Sequence, residues 1–473
     1  MSSCRVVSCF VLIVGLLGLL LSTDLAAAAD KLNVLLIAVD DMNNDLGCYG
    51  HPQVKSPAID ALAARGVRFD RAYCQYPVCN PSRVSMLSGR RPDTTKIYDL
   101  QTPPRTHLKD VVFLPQYFRQ HGYYTAHIGK IFHTGDAFED PPSWDHEVRE
   151  TGKHPPAEAV IREQRLERPQ KYSVEWNILR STDEQTADGV VAQQADELLE
   201  RVSQDGKPFF VAVGFRRPHA PYAAPKKYFD LYPVDSIPPL DESPEHLQHI
   251  PTSAFTYPAG TSPITARERA AGVAAYWACI TFVDAQIGKV LATVDRLNLW
   301  KNTVVVFYSD HGYHLGEHGG MWHKMSVFEE SARVPLIIAA PGITGKGKPS
   351  PRLVELVDIY PTLVDLCGLP TPAGLEGQSL RPLLDNPDSP WTDAAYTQVL
   401  RGEVVGRSLR TSRWRYTEWD GGANGRELYD HDADPKEQRN LADDPQHEAT
   451  RKELGMKLRE RLRESAGKRG DSN

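Results

Sequence analysis

Short, continuously hydrophobic runs alternate along the chain with amphipathic stretches. The runs at 31–39, 208–214 and 303–309 are rich in β-branched residues, which is typical of strands buried on both faces of a parallel sheet. Amphipathic patterns with helical spacing lie between them, at 57–64, 186–201 and 266–297. This alternation predicts an α/β fold in which helices flank a large, mostly parallel sheet on both faces.

The pattern changes near residue 388. Three short runs of alternating polarity predict antiparallel strands: 395–400, 407–410 and 413–418. A final amphipathic stretch carries Leu454, Leu458 and Leu462 on one face and predicts a helix. We therefore expect a large domain over 30–387 and a smaller antiparallel-sheet subdomain over 388–473, ending in a disordered basic tip.

Two proline-rich segments, 138–171 and 233–262, show no clear periodicity and predict long loops. Loops of this length in a compact domain are more often functional than idle. We expect them either to be ordinary surface loops or to form walls of a substrate cleft.

Residues 1–29 have the pattern of a cleavable secretory signal peptide. Arg5 precedes an apolar run at 6–21, and small residues follow at 26–29. A membrane anchor is the alternative, but a run of about 16 residues is shorter than the ~20 that span a bilayer. We expect an exported protein, periplasmic or secreted, with no stable membrane span. The chain has no Asn-x-Ser/Thr glycosylation acceptor, which favours a bacterial periplasm.

Charge and cysteine content narrow the function classes. The net charge is −7 and there is no basic tract, so nucleic acid is not an expected partner. Five cysteines remain after the signal peptide, without metal-type spacing: Cys48, Cys74, Cys79, Cys279 and Cys367. Cys79 is the candidate odd cysteine, and the other four are either disulfide-bonded or small buried hydrophobes.

Acidic residues directly follow two of the predicted strands. Asp40 and Asp41 end the first run, and Asp310 and His311 end the run at 303–309. Ligands bind at the carboxyl ends of parallel strands, and such an oxygen-rich set suits Ca²⁺. The alternative is that each aspartate caps the following helix.

Cationic residues form a second group of candidates: Arg83, Lys130, His133, His219 and Lys324. Each one alone has an ordinary explanation as a solvated charge or a satisfied histidine. Together they would form a trap for a tetrahedral anion, with arginine as a planar fork and lysine as a point charge.

The run Cys79-Asn80-Pro81-Ser82-Arg83 matches the sulfatase maturation motif Cys-x-Pro-Ser-Arg. Further matching segments follow in order along the chain: 39–41, 84–92, 122–125, 129–133, 213–219, 309–318, Lys324, 333–336, 427–430, 434–435 and 440–442. The chain resembles the formylglycine-dependent sulfatases over essentially its whole mature length. The pair Asp310-His311, where many sulfatases have Asp-Asn, and the run 92–99 resemble the iduronate-2-sulfatase type.

The resemblance implies an alkaline-phosphatase-like sandwich, with catalysis in the domain over 30–387. A maturation enzyme, either formylglycine-generating or anaerobic, would oxidise Cys79 to formylglycine. One Ca²⁺ would be held by Asp40, Asp41, Cys79, Asp310 and His311.

The resemblance also implies roles for the cationic residues. Arg83 would stabilise the hydrated aldehyde, while Lys130 and Lys324 would neutralise the sulfate oxygens. His219 would protonate the leaving sugar oxygen, alone or with Lys324, and His133 would act as the base that releases sulfate.

The branch suggests a sulfated oligo- or polysaccharide substrate, with 2-O-sulfate on a uronic acid. Substrate-contact candidates are Lys96, Tyr98, Asp99, Tyr313 and His314. Tyr313 stands where Trp is expected and His314 where a small residue is usual. Algal polysaccharides and aryl sulfates are therefore alternative substrates.

The sequence disfavours two other function classes. Phosphomono- or diesterases of the related fold use two Zn²⁺ and a Ser or Thr nucleophile, which the Cys and hard oxygen ligands here do not match. A catalytically silent sulfated-glycan-binding protein would have no need to retain the full set of candidate catalytic residues.

Overall fold

The computed structural model describes residues 31–149, 159–166, 174–256, 264–392 and 394–467. The predicted signal peptide at 1–29, parts of both predicted loops and the predicted basic tip lie outside the described residues.

The strands are, in chain order, β1 Asn33–Val39, β2 Val67–Tyr73, β3 Tyr124–Gly129, β4 His146–Val148, β5 Val160–Leu166, β6 Val174–Leu179, β7 Phe209–Phe215, β8 Tyr222–Pro225, β9 Thr303–Ser309, β10 His314–Leu315, β11 Trp322–His323, β12 Arg333–Val334, β13 Leu336–Ala339, β14 Pro349–Glu355, β15 Ala394–Arg401, β16 Val404–Thr411, β17 Trp414–Trp419 and β18 Arg426–Asp430.

The α-helices are α1 Pro57–Arg65, α2 Cys79–Ser88, α3 Pro92–Thr95, α4 Leu114–Gln120, α5 Ala187–Gln204, α6 Lys226–Phe229, α7 Ala266–Arg296, α8 Glu317–Gly320, α9 Glu329–Ala332, α10 Ile359–Leu366, α11 Arg381–Asp385 and α12 Glu448–Gly467.

A nine-stranded sheet forms the centre of the molecule, in the order β12-β2-β13-β9-β1-β7-β3-β4, with β14 pairing β2. The middle strands β9, β1, β7, β3 and β4 are all parallel, whereas β13 and β12 pair antiparallel to their neighbours. Every residue of β1, β7 and β9 is buried, which explains their continuously hydrophobic sequences. The predicted mostly parallel sheet is confirmed.

Strand β1 shows how the sheet separates two hydrophobic cores. Leu35, Ile37 and Val39 pack into the core beneath helices α1, α5 and α7. The alternate residues Val34, Leu36 and Ala38 pack into the opposite core, beneath α2, α4 and α10. The two-residue period of a strand thus places helices on both faces.

Helix α7 is the long central helix of the first core. A capping box between Thr265 and Glu268 starts it, and 19 of its residues are buried. It is the candidate membrane span among the described residues by length and composition, yet 83% of its most apolar window is buried inside the protein. Its apolar length therefore reflects a core position.

The segment predicted as a loop at 138–171 contains additional strands. Strand β5 pairs antiparallel with β6, which in turn pairs parallel with β8. The weakly patterned sequence of β5 did not predict this strand, because its backbone hydrogen bonds come from a partner later in the chain.

Strands β15 to β18 form an antiparallel sheet, and α12 packs against it through Leu454 and Leu458. The predicted C-terminal antiparallel subdomain is confirmed. The fourth strand, β18, was not predicted, since its sequence mixes charged and apolar residues. Glu427 in β18 is nonetheless buried, and its Oε1 accepts a hydrogen bond from Trp419 Nε1 at 2.7 Å.

A buried ionic network joins this subdomain to the large domain. The Arg415 guanidinium on β17 pairs with Glu437 through Nε and with Glu329 on α9 through Nη2. Burial would raise the pKa of Glu437, but Arg415 and His431 outweigh it and lower that pKa to about 2. This value lies below the usual ~4.3 of an unfolded chain, so Glu437 stabilises the fold fully above that pH and loses the effect as the pH falls towards 2.

We expect Arg415→Met to lower the free energy of unfolding by about 3–5 kcal/mol at pH 7, because buried Glu437 loses its main partner and Glu329 loses one of its arginine partners. Denaturant unfolding would measure this. The matched control is Arg413→Met, whose pair with Asp430 is half exposed on the arginine side and worth about 0–1 kcal/mol. Equal losses in the two variants would contradict the role assigned to the buried network.

Candidate active site

The predicted acidic residues meet at the carboxyl ends of β1 and β9. These strands are parallel neighbours in register, with Val39 opposite Ser309, so the residues that follow them lie side by side. The backbone N–H of Asp41 donates to Asp310 Oδ1 at 3.2 Å. The structure therefore brings the two acidic strand ends into one site.

Cys79 is the first residue of helix α2 and is buried. Its Sγ lies 3.4 Å from His311 Nε2, 3.9 Å from Asp41 Oδ1 and 3.6 Å from Lys324 Nζ. The N-terminal turn of α2 thus points its free N–H groups and positive dipole end at the acidic cluster.

The unmodified thiol is a poor nucleophile in this position. Burial and the negative charge of Asp40 raise the pKa of Cys79 to about 12, although Lys130 and Lys324 act in the opposite direction. Since the thiolate is the reactive form of cysteine, burial and the neighbouring carboxylate disfavour the reactive form of Cys79.

His311 presents one ring nitrogen to the cluster. Its Nδ1 lies 2.9 Å from the carbonyl oxygen of Gly312 and donates to it, which leaves the lone pair of Nε2 facing Asp41 Oδ1 at 3.3 Å. A backbone carbonyl that orients the ring in this way is typical of a metal-ligating histidine.

The donor set fits a divalent cation. One ligand atom from each of Asp40, Cys79, Asp310 and His311 lies within 4.8 Å of the others. Two carboxylate oxygens, Asp40 Oδ1 and Asp41 Oδ2, are buried without a hydrogen-bond partner. Carboxylate oxygens of this kind are the preferred ligands of hard cations such as Ca²⁺.

Arg83, one helical turn after Cys79, holds the site together from within. Its Nε donates to Asp310 Oδ2 at 2.7 Å, and its Nη1 donates to the carbonyl oxygens of Lys130 and Ile131 at 2.7 and 3.0 Å. Burial would lower the pKa of Arg83, but Asp310 and Asp40 raise it well above its usual range. The guanidinium is therefore always charged.

Lys130 reaches the cluster from the end of β3. Its Nζ donates to Asp40 Oδ2 at 2.5 Å. The preceding Gly129 has φ +75°, and a Cβ there would lie 2.1 Å from the carbonyl oxygen of Gly214, so the turn that aims Lys130 requires glycine. Burial would raise the pKa of Asp40, but Lys130, His219 and Arg83 hold it well below its usual range.

Lys324 approaches from the opposite side, in the segment between β11 and α9. Its Nζ donates to Asp41 Oδ1 and lies beside Cys79 Sγ. Burial would lower the pKa of Lys324, but Asp41 and Cys79 raise it above its usual range. Two ammonium groups thus flank the nucleophile position.

The two candidate histidines occupy different places. His219, after β7, belongs to a cluster with Asp40, Asp41 and Cys79 whose ligand atoms lie within 4.8 Å. Its Nδ1 donates to the carbonyl oxygen of Ala220 at 2.5 Å, and burial together with Lys324 lowers its pKa well below the usual range. His133 lies three residues after Lys130, with its ring edge-on to Phe138 at 4.9 Å between centroids.

Three substrate-contact candidates lie on the segment after α3. Lys96 and Asp99 are exposed and Tyr98 is half-buried. Asn80 fixes this segment to the start of α2, because its Nδ2 donates to the carbonyl oxygens of Asp99 and Thr102 at 2.8 and 2.9 Å. Asn80 occupies the variable position of the motif, so the sequence offered no signal for this role.

Tyr313 and His314 are fully buried, and the Tyr313 hydroxyl and His314 Nε2 are hydrogen-bonded to protein groups. The Tyr313 hydroxyl accepts from the Tyr222 hydroxyl at 2.9 Å and lies 2.7 Å from His323 Nδ1. His314 Nε2 lies 2.6 Å from Ser326 Oγ. These contacts support the segment that carries Lys324, and they leave the predicted substrate contact at 313 and 314 without an exposed surface.

Tyr276 was missed by the sequence reasoning. Its hydroxyl donates to the carbonyl oxygen of Asp41 at 2.6 Å and accepts from the backbone N–H of Asn43 at 2.9 Å. Its ring also stacks on Tyr313 at 5.1 Å. It therefore buttresses the backbone of Asp41, whose φ of +66° is unusual for a residue other than glycine.

The Sulfatase family profile matches residues 32–369, and the profile described as N-sulphoglucosamine sulphohydrolase, C-terminal, matches residues 316–464. The chain belongs to the sulfatase family. This sulfatase is 33% identical to iduronate 2-sulfatase of Mus musculus, with 89% of this chain and 92% of the relative covered. It is 34% identical to a sulfatase of Formosa agariphila, with 86% and 82% covered.

Solved structures agree with this assignment. A structure described as a 2-O GAG sulfatase is 26% identical, with a TM-score of 0.73 and 94% of each chain covered. The phosphonate monoester hydrolase of Agrobacterium radiobacter shares the fold. It is 23% identical, with a TM-score of 0.76, and 92% of this chain and 96% of that chain are covered. These matches confirm the predicted alkaline-phosphatase-like architecture. They also confirm that the chain is a member of the formylglycine-dependent sulfatases, which hydrolyse sulfate esters.

We expect one divalent-cation site in this sulfatase, measurable by calorimetric titration with Ca²⁺. Asp310→Asn should weaken binding by about 100-fold or more, because loss of even a supporting group near a metal costs about 10- to 100-fold. The control is Asp45→Asn, a carboxylate four residues after Asp41 that accepts from Trp277 Nε1 and lies outside the cluster. Unchanged affinity in Asp310→Asn would contradict the assignment of the site.

Proposed function

We propose that this sulfatase removes 2-O-sulfate from a uronic acid residue of a sulfated oligo- or polysaccharide, using a formylglycine made from Cys79. The observation that carries the chemistry is the placement of Cys79 at a helix N-terminus, buried between three carboxylates and two ammonium groups. The substrate proposal rests on 33% identity to the iduronate 2-sulfatases of Mus musculus and Homo sapiens.

The maturation step supplies the nucleophile that the thiol cannot. A formylglycine-generating or anaerobic maturation enzyme oxidises Cys79 to an aldehyde, which water converts to a gem-diol. A hydroxyl of the gem-diol attacks sulfur, and the bond between sulfur and the sugar oxygen breaks. Asp40, Asp41, Asp310, His311 and residue 79 would hold a Ca²⁺ ion, which would supply positive charge to polarise the sulfate oxygens.

The protein's own cations stabilise the charge that develops. Lys130 and Lys324 flank residue 79 and neutralise the sulfate oxygens, and Arg83 fixes Asp310 and the end of β3 in place. These groups are fixed by burial and hydrogen bonds before the substrate arrives, so little reorganisation accompanies the reaction.

Two histidines and Lys324 transfer protons in the proposed reaction. With Nδ1 donating to Ala220, neutral His219 presents an unprotonated Nε2 to the site. Lys324, which stays charged, therefore supplies the proton to the departing sugar oxygen and shares that role with His219 when the imidazole is protonated. His133 accepts the proton of the second gem-diol hydroxyl, after which the bond from carbon to the sulfate oxygen breaks, sulfate leaves and the aldehyde returns. We further propose that the enzyme acts after export, in a bacterial periplasm or outside the cell.

Cys79→Ala should lose sulfate release by about 10³-fold or more while keeping the wild-type melting temperature, because removal of a covalent nucleophile removes the reaction path. Sulfate release from a 2-O-sulfated uronate disaccharide would measure it. The matched control is Cys74→Ala, another buried cysteine five residues earlier, which should remain active.

Peptide mass spectrometry on the active wild-type enzyme completes this test. The peptide containing position 79 should lack a thiol that can be alkylated. A fully alkylatable Cys79 in active enzyme, or near-wild-type turnover by Cys79→Ala, would contradict the formylglycine mechanism.

Substrate specificity is tested with a panel of defined sulfated disaccharides. We expect kcat/KM on a non-reducing-end 2-O-sulfated uronate to exceed that on 6-O-sulfated glucosamine and on aryl sulfates by about 100-fold or more, as for a site built to bond the polar groups of its substrate. Preference for the hexosamine, for algal polysaccharide fragments or for aryl sulfates would overturn the uronate proposal and leave the sulfatase chemistry intact.

A further inference from the structure

A second cluster of metal-ligand side chains lies outside the active site. It consists of Glu242, His246 and His318, and one ligand atom of each lies within 4.8 Å of the others. His246 belongs to the short 3-10 helix Pro244–His249, which packs against α8, where His318 lies. The two histidines are 5% and 1% exposed, so the cluster is a buried one.

The ring nitrogens of both histidines are arranged as in a metal site. His246 Nδ1 donates to the carbonyl oxygen of Ser243 at 2.6 Å, and its Nε2 has no hydrogen-bond partner. His318 Nε2 lies 3.2 Å from Glu330 Oε2, and its Nδ1 has no hydrogen-bond partner. Metal-ligating histidines donate their second ring nitrogen to a carbonyl or a carboxylate in this way.

The electrostatic surroundings favour a cation. The carboxylate of Glu242 accepts from the backbone N–H groups of His318 and Gly319, which holds it against the His318 ring. A second carboxylate, that of Glu330, lies on the other side of the ring, with Oε2 3.2 Å from His318 Nε2. His246 Nε2 is buried and has no hydrogen-bond partner, which costs free energy unless a ligand occupies the space beside it.

We propose that Glu242, His246 and His318 bind a divalent transition-metal ion of the zinc class. Two imidazole nitrogens and one carboxylate oxygen suit Zn²⁺, with water as the fourth ligand of a tetrahedral site. The oxygen-rich active-site cluster suits a hard cation instead, so the two sites differ in the metal they select.

The ion would connect segments that border the catalytic centre. Lys324 follows His318 by six residues, and the turn between them includes Gly319 and Gly320, both with positive φ. On the other side, Asp241 accepts from Lys436 Nζ at 2.9 Å and from Gln438 Nε2 at 2.7 Å, in the C-terminal subdomain. A metal at this junction would fix the turn that carries Lys324 to both neighbouring segments.

Cobalt titration of the full-length, Ca²⁺-saturated enzyme, freed of transition metals, tests this proposal. We expect one Co²⁺ per chain, with the visible absorption bands of a tetrahedral site, and displacement of Co²⁺ by Zn²⁺. His246→Gln should weaken Co²⁺ binding by about 100-fold or more. The matched control is His249→Gln, which changes an exposed histidine on the same short helix and should bind as the wild type does.

Two further measurements keep the outcome decisive. Asp310→Asn should keep the Co²⁺ site, so loss of binding there with retention in His246→Gln would assign the ion to the active site and overturn the proposal. If His246→Gln fails to fold, anomalous diffraction at the zinc edge from wild-type crystals grown with Zn²⁺ decides: a peak between the three side chains supports the site, and its absence overturns it. None of these readouts depends on the sulfatase substrate.

Discussion

Arg83 lies between two buried carboxylates, with Nε 2.7 Å from Asp310 Oδ2 and Nη2 3.5 Å from Asp40 Oδ1. All three side chains are fully buried, so the desolvation cost of each charge is large and is offset in part by the others. The same guanidinium also bonds the carbonyl oxygens at the end of β3, which sets the position of Lys130. One charged group thereby connects the ends of β1 and β9, helix α2 and the end of β3.

This arrangement explains how a protein interior can hold so many charges without losing its fold. Asp40 and Asp41 each pair with a lysine, from β3 and from the β11–α9 segment respectively. The cations proposed to bind the sulfate ester are therefore the same ones that neutralise the carboxylates of the candidate metal site. Binding of a cation and of an anionic substrate would exchange one set of ion pairs for another, with the positions of the groups already set by the core.

Residues outside the cluster also hold its charged side chains in position. The segment that carries Lys324 ends near Glu329, which pairs with Arg415 of the C-terminal sheet. Behind the cluster, Tyr276 bonds the Asp41 backbone and stacks on Tyr313, whose hydroxyl meets His323. The small subdomain and the aromatic layer thus hold the ion pair between Lys324 and Asp41 in place.

Local sequence determined much of this protein. The sequence predicted three buried strands, β1, β7 and β9, and three amphipathic helices, α1, α5 and α7. It also predicted the acidic residues at the strand ends. These features were predictable because burial and periodicity determine the residue type at each position. The motif from Cys79 to Arg83 and the matching segments in order along the chain indicated the family. Strand β9 even has the predicted bounds.

Tertiary structure decided the features that depend on contacts between residues far apart in the chain. Strand β18 exists because β17 pairs with it, and Glu427 is tolerated there because Trp419 donates to it. The described cysteines are all free thiols, a choice that spacing alone left open. Asn80, Tyr276 and His246 have no distinctive local pattern, since their contacts come from hydrogen bonds and proximity created only when segments far apart in the chain fold against each other.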